Sequence, residues 1–241
     1  MRMARYARRG AVAMAICGLA VLAAGCAAWK AESSPAVPTA SAGPLAGLTA
    51  SQILTRAVAD LKTASSVHIT GTTKVPGQTT AVDLTVGAHG CTGTIAIAGQ
   101  GSVLLLGTGG TVWMKPDEQF YQAAGVSAAE LSRLAGKYLR LSAGRSGIGA
   151  LCYLGQLATQ IGGRAGHVVL GQTTTVLGQP ALQLNDVKLP GDAYVTASAR
   201  PEFLRVGSGG GGYMDFTDYN APFTVTPPPA AQTVDGASYN F

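Results

Sequence analysis

The chain has 241 residues, of which 47% are hydrophobic and only 12% charged, and its formal net charge is +5. That charge lies at the start, because removing the four arginines among residues 2–9 leaves 13 basic residues against 12 acidic ones. A nearly neutral chain without a Lys/Arg cluster interleaved with aromatics lacks the field that neutralises phosphates, which argues against nucleic acid as a partner. The 33 glycines favour a β-rich exported protein.

Residues 1–25 have the parts of a secretory signal peptide. A basic start is followed by an uncharged apolar run over residues 11–24. The run ends in Leu22-Ala23-Ala24-Gly25-Cys26, which resembles the lipobox of bacterial lipoproteins, where small residues precede a cysteine that receives a diacylglyceryl group. The sequence therefore predicts an exported lipoprotein, anchored to the outer face of the cytoplasmic membrane through Cys26. Arg8-Arg9 leaves the export route open between the Sec and twin-arginine pathways.

The mature chain divides into a tether and one domain. Residues 26–47 hold the lipidated cysteine and an Ala/Ser/Pro-rich stretch that buries too little apolar surface to fold. The domain is predicted over residues 48–241. It opens with an amphipathic helix at about 50–64, because Thr49 to Gln52 has the form of a capping box and apolar residues follow at helical spacing.

Alternating apolar and polar residues predict an antiparallel meander after this helix. Its strands are expected at 67–70, 82–86, 95–97, 103–106 and 112–114. Helices are expected at 117–124, 127–134 and 148–161. The last of these contains no charged residue, so we expect it to lie buried across the apolar face of the sheet.

A second run of strand patterns completes the domain. These strands are expected at 168–170, 173–177, 181–189, 193–197, 204–206, 213–216 and 223–225. The order of helix, strands, helices and strands predicts an α+β fold, in which a curved antiparallel sheet packs helices across its concave face.

Two of the four cysteines are predicted to form a disulfide. Cys17 leaves with the signal peptide and Cys26 is acylated, so Cys91 and Cys152 remain in an oxidising compartment. Two cysteines without a histidine at ligand spacing make a poor zinc site. No metal or cofactor is expected.

The sequence contains no complete motif for catalysis. Gly144-Arg145-Ser146-Gly147-Ile148 lacks the final glycine of a hydrolase elbow, and the run 207–212 lies between strands rather than before a helix. Asp117-Glu118 suits a helix start, and the spacing of Asp215, Asp218 and Asn220 matches no calcium loop. His68, His89 and His167 read as strand residues facing solvent. The sequence therefore predicts a protein that is not an enzyme.

Three stretches resemble a known family. Leu48 to Leu54, continued through Ala59 to Lys62 and Ser66 to Gly71, is similar to the opening of the actinobacterial LppX/LprG lipoproteins. Phe216 to Val225 resembles their closing strand pair, and Trp113 to Tyr121 with the two cysteines resembles a secreted subgroup of uncertain function.

The resemblance implies a half-open antiparallel barrel, similar to the lipoprotein carrier LolA, with an apolar cavity that binds acylated lipids. The candidate cavity residues are apolar. They lie on the predicted strand 103–106, whose apolar side chains point to both faces of the sheet, on the following strand 112–114, or on the predicted helix 148–161 that contains no charged residue. They are Leu105, Trp113, Leu151, Leu154, Leu157 and Ile161.

Two functions remain open at this point. The first is a carrier that holds a lipid or another apolar molecule between sheet and helices. The second is a surface lipoprotein that contacts a protein partner or the cell wall and holds no small ligand. A roomy enclosed pocket of several hundred Å3 favours the carrier, and a filled core favours the surface protein.

Overall fold

A computed structural model describes residues 43–142, 149–163, 165–188, 191–208 and 210–239. All of them belong to one unit, Val37–Phe241. The predicted signal peptide, Cys26 and most of the predicted tether lie outside the described residues. Residues 43–47, the last of the predicted tether, form turns in which Leu45 is buried, so packing begins a few residues before the expected boundary at 48.

The first half of the domain is a helix followed by a meander. Its elements are α1 (Ala50–Thr63), β1 (Ser66–Val75), β2 (Gln78–Gly87), β3 (Gly90–Ile97), β4 (Gly101–Thr108) and β5 (Thr111–Pro116). The predicted capping box at the start of α1 is confirmed, since Thr49 and Gln52 each bond the other's backbone N–H. One face of α1, including Ile53, Leu54 and Leu61, is buried.

The second half contains the short helices and the remaining strands. These are α2 (Glu118–Ala123), α3 (Ala128–Leu134), β6 (Tyr138–Ser142), α4 (Leu154–Gly162), β7 (Val168–Val176), β8 (Gln179–Asp186), β9 (Asp192–Thr196), β10 (Phe203–Ser208), β11 (Gly212–Thr217) and β12 (Thr233–Asp235). Asp117 caps α2, and a capping box at Ser127 and Glu130 begins α3, as expected.

The strands form one sheet of twelve, in the order β12-β6-β5-β4-β3-β2-β1-β11-β10-β9-β8-β7. Every pair is antiparallel except β12 with β6. One continuous core joins α1, α4 and the sheet face against them. The predicted α+β class and the curved sheet under helices are confirmed.

Glycines inside strands allow neighbouring chains to approach closely. Gly71 in β1 and Gly93 in β3 have φ of +148° and +145°. A Cβ on Gly93 would lie 2.1 Å from the carbonyl oxygen of Asp83 on β2, and one on Gly71 would lie 2.0 Å from that of Tyr213 on β11. Such positions bend a strand where a side chain would obstruct it, which suits a curved sheet.

The elements differ from the sequence expectations in three places. Residues 223–225 are not a strand, and this segment crosses the end of the sheet where Phe223 faces Gly87. The predicted helix 148–161 is interrupted, since a 3-10 turn at Gly149–Cys152 precedes α4. Strands β6 and β12 were not expected, although Tyr138 to Leu141 alternates polar and apolar side chains.

Candidate functional site

Five of the six candidate cavity residues lie together on the concave side of the sheet. Leu105 on β4 is 0% exposed and Leu154 on α4 is 1% exposed. Leu151, Leu157 and Ile161 are half-buried and pack against the same core. The structure brings these five residues together, and all of them belong to one core or pack against it.

A small crevice lies between helices α1 and α4 and strands β7 to β10. Its volume is about 20 Å3, and its walls include Leu54, Ile161, Val168 and Leu184. Ligand pockets usually measure roughly 300–1,000 Å3, and about 15 Å3 is needed to hold one water. The crevice is thus too small for an acyl chain.

The predicted disulfide is present. Cys91 on β3 and Cys152 before α4 are bonded, with their Cα atoms 4.7 Å apart, and both are fully buried. Gly107 on β4 lies beneath the bridge, because a Cβ there would meet the Cys152 Sγ atom at 3.1 Å. The bond ties the start of α4 to the middle of the meander.

Trp113 does not belong to this group, and its assignment to the cavity is wrong. It alternates along β5 with Val112 and Met114, which are buried on the concave face. Side chains of successive strand residues point to opposite faces. Trp113 therefore lies on the outer face, in register with Leu106 of β4 and Arg140 of β6.

The outer face carries paired polar side chains. His68 Nε2 is 2.8 Å from Asp83 Oδ1, and His68 Nδ1 is 3.4 Å from Asp218 Oδ2. Sequence reasoning missed these partners, although Asp83 stands on the strand that forms a hairpin with β1. Arg205 donates two hydrogen bonds to Asp215, at 2.5 and 2.8 Å.

Polar contacts on this face link neighbouring strands and shift the pKa values of the side chains that make them. The hydrogen bonds that Arg205 donates to Asp215 are the main cause that raises the pKa of Arg205. Burial is the first cause that raises the pKa of Tyr194, and the nearby Asp192 adds to it. Within the described ranges, no group of three or more His, Cys, Asp or Glu side chains is arranged to hold a metal ion.

Other groups with shifted pKa values also serve structure. Burial, with a smaller contribution from Tyr239, raises the pKa of Tyr121 to about 12. Burial is the largest influence on Asp117 and acts to raise its pKa, but hydrogen bonds from Phe120 N–H and from Ser102 outweigh it and leave the pKa lowered. Asp117 is thus a helix cap, and Glu118 begins the helix it caps.

The structure shows where most of the remaining sequence motifs lie. The glycine-rich run lies in the hairpin between β10 and β11, as expected. Asp215 bonds Arg205, while the Asn220 side chain accepts from the N–H of Ser65 at 2.9 Å. Gly144 to Ile148 lies outside the described residues. None of the described helices has the length and apolarity that a membrane span requires.

Comparison with known proteins gives distant structural matches. No protein-family model and no curated protein matches the chain. It is similar to LprF from Mycobacterium bovis, with 15% identity, coverage of 74% of this chain and 96% of that chain, and a TM-score of 0.49. The lipoprotein LppX of Mycobacterium tuberculosis matches with 17% identity, coverage of 73% and 98%, and a TM-score of 0.45.

The complex of MucA and MucB from Pseudomonas aeruginosa also matches. Its identity is 15%, it covers 76% of this chain and 59% of that chain, and its TM-score is 0.33. The resemblance to LppX-type lipoproteins noted in the sequence is therefore found again among solved structures. At this distance the likeness assigns no ligand to this chain.

Proposed function

We propose that this chain is an exported lipoprotein, held at the outer face of the cytoplasmic membrane by an acylated Cys26, whose domain acts through contacts at its surface. The leader and the small residues before Cys26 support the anchor. Two acyl chains bury many methylenes at ~0.8 kcal/mol each, so such an anchor holds stably.

The observation that carries the surface role is the filled concave face. Leu105 and Leu154, which a carrier would present to its ligand, are 0% and 1% exposed, and the crevice beside Ile161 measures about 20 Å3. A lipid carrier must leave room between helices and sheet. The described residues there pack against one another instead, which is the arrangement of a structural core.

A photoactivatable lipid tests this proposal on the protein as it exists. Cells that produce the full chain would be fed a photoactivatable fatty acid and irradiated, and the cross-linked peptides would be mapped by mass spectrometry. We expect labelled acyl groups at Cys26 only. Cross-links within α1, α4 or β7 to β10 would overturn the surface role.

A second candidate is the binding of an apolar molecule, which requires the crevice of about 20 Å3 to widen and is favoured only by the apolar side chains around it. Leu54, Ile161, Val168 and Leu184 give it apolar walls. If this candidate holds, Leu154→Trp and Leu105→Trp displace bound lipid and change stability little. In a filled core each added ring costs about 1–3 kcal/mol of unfolding free energy and alters no ligand occupancy.

The anchor has its own test. Cys26→Ala should leave an unprocessed precursor that incorporates no radiolabelled palmitate, because the thiol that accepts the lipid is missing. Cys17→Ala is the matched control, since that cysteine lies within the signal peptide, and it should be labelled normally. Normal labelling of Cys26→Ala would remove the lipoprotein assignment.

A further inference from the structure

A cleft on the outer face lies between strands β5 and β6 and the C-terminal segment that returns beside β6. Its volume is about 350 Å3, far larger than the crevice on the concave side. The lining combines one aromatic ring, small apolar groups and an oppositely charged pair. It consists of Trp113, Arg140, Pro228, Ala230, Thr233 and Asp235, with Val234 beside them.

Strand pairing fixes the two principal side chains of the cleft. Trp113 and Arg140 face each other across the β5–β6 ladder. Directly opposite residues in a sheet have their Cβ atoms about 5 Å apart, so the indole and the guanidinium project side by side. Both belong to regular strands, which hold a binding group more firmly than a loop does.

The C-terminal segment supplies the other wall. Strand β12 runs parallel to β6, with Asp235 in register with Arg140. The Asp235 Oδ2 atom is 4.0 Å from the Arg140 Nη2 atom. The Lys137 Nζ atom donates a hydrogen bond of 2.9 Å to the carbonyl oxygen of Ala231, which fastens the segment just before β12.

The charges of the cleft indicate the kind of ligand. Arg140 and Asp235 cancel each other's charge, and their side chains are 59% and 62% exposed, so both reach solvent with most of their surface. A phosphate would be repelled by the carboxylate, and a cation by the guanidinium. An uncharged ligand with many hydroxyl groups can use both as hydrogen-bond partners.

The aromatic ring adds a second requirement. Trp113 is half-buried at the wall of the cleft and offers an amphipathic ring to a ligand with a flat apolar face. A pyranose has this combination, with C–H bonds on its faces and hydroxyls around its rim.

We propose that this cleft binds an uncharged hexopyranose unit of an envelope glycan. Trp113 stacks on the sugar face, while Arg140 donates hydrogen bonds to its hydroxyls and Asp235 accepts them. The inference rests on the proposed surface role, for which it names the partner. A domain tethered outside the membrane would use the site to hold itself against the glycan above it.

Tryptophan fluorescence of the full chain tests the site directly. The sequence has two tryptophans, Trp29 and Trp113, so Trp29→Phe leaves Trp113 as the single reporter. Maltotriose, mannotriose and chitotriose would be titrated into this variant. One bound hexose is small, so we expect a Kd on the order of 1 mM. We expect at least one of the three to shift the emission saturably.

Two substitutions locate the response. Arg140→Met and Asp235→Asn, each made in the Trp29→Phe background, should weaken the binding at least tenfold. Asp83→Asn is the matched control for Asp235→Asn, because Asp83 is also an exposed aspartate of the outer face and is 72% exposed. It should leave the titration unchanged. The thermal midpoint of each variant shows that the fold is retained.

Three results would overturn the inference. One is that none of the trisaccharides moves the Trp113 emission. Another is that the response persists in both Arg140→Met and Asp235→Asn. The last is a response to inorganic phosphate alone, which would make the cleft an anion site. Lipid cross-links in α4 would contradict the proposed function but leave this titration unaffected, so the two failures can be told apart.

Discussion

The two faces of the same sheet differ in what their side chains touch. On the concave face, Val67, Leu105 and Val112 are 0% exposed and belong to one continuous core with the helices. On the outer face, His68 and Arg205 pair with aspartates, and Trp113 borders a cleft of about 350 Å3. The cleft beside Trp113 therefore lies on the outer face, and a resemblance to carriers does not by itself place a ligand on the concave side.

We expect the largest loss of stability from removing the disulfide that links α4 to the sheet on the concave side. Cys91→Ala with Cys152→Ala opens a bridge with a sequence separation of 61 residues. The chain-entropy model gives a loss of about 4 kcal/mol of unfolding free energy. Chemical denaturation of the double variant measures this loss.

Thiol titration is the control for that prediction. The denatured but unreduced wild type should show no reactive thiol from either cysteine. Two reactive thiols, or a double variant as stable as the wild type, would mean that the bridge does not hold α4 to the sheet.

Neighbouring leucines of β4 compare the two faces directly. Leu105 is 0% exposed on the concave face, whereas Leu104 is half-buried on the outer face. Leu105→Ala should cost about 3 kcal/mol, because it leaves a cavity as well as removing buried methylenes, and Leu104→Ala should cost about 1 kcal/mol. Urea denaturation of the matched pair checks this. Equal losses of unfolding free energy in the two variants would contradict the assignment of the concave face as packed and the outer face as open.

A smaller loss of unfolding free energy is expected from removing the side chain that caps the start of α2. Asp117→Ala removes the cap of α2 and should cost about 1 kcal/mol, whereas Asp117→Asn keeps a capping side chain. The folded pKa of Asp117 lies below its ordinary value of 3.8, so its contribution is present above that pH and is lost as the pH falls through the folded pKa.

Denaturation at pH 7 and pH 3 separates the two variants. Asp117→Ala should be destabilised more at pH 7 than at pH 3. A loss of the same size at both pH values would show that the carboxylate charge takes no part in the cap.

The smallest effect belongs to the exposed pair on the outer face. Asp83 is 72% exposed, and its contact with His68 is accessible to solvent. Asp83→Asn should change the unfolding free energy by less than about 0.5 kcal/mol, and the difference should shrink as salt is added. Arg205 with Asp215 is the better-shielded comparison, at 31% and 23% exposure. A salt-independent loss above 1 kcal/mol for Asp83→Asn would place the polar network among the main supports of the fold.

Local patterns predicted most of the elements because their causes are local. Thr49 and Gln52, like Ser127 and Glu130, form capping boxes from residues three apart, so no distant contact is needed to recognise them. Alternation likewise located β4 and β5, where burial repeats every second residue. Counting the cysteines left after export identified the disulfide.

Local patterns do not predict the position of residues that depends on pairing between distant segments. Trp113 was grouped with Leu105 because both are large and apolar, and only the pairing of β5 with β6 shows that Trp113 stands on the other face. Strand β12 has three residues, and its place beside β6 depends on a segment that crosses the sheet from Phe223 onward. Neither β6 nor β12 contains a local pattern that specifies their pairing.

The sequence alone determined the α+β class and the partners of the disulfide, and it predicts the export signal and the anchoring cysteine, because composition, periodicity and short spacings carry each of them. Tertiary structure decided whether the concave face is hollow and which side chains border the outer cleft. Volume between packed elements depends on how side chains from distant segments fit together, and a cleft between Trp113 and Pro228 exists only because the C-terminal segment returns to the edge of the sheet beside β6.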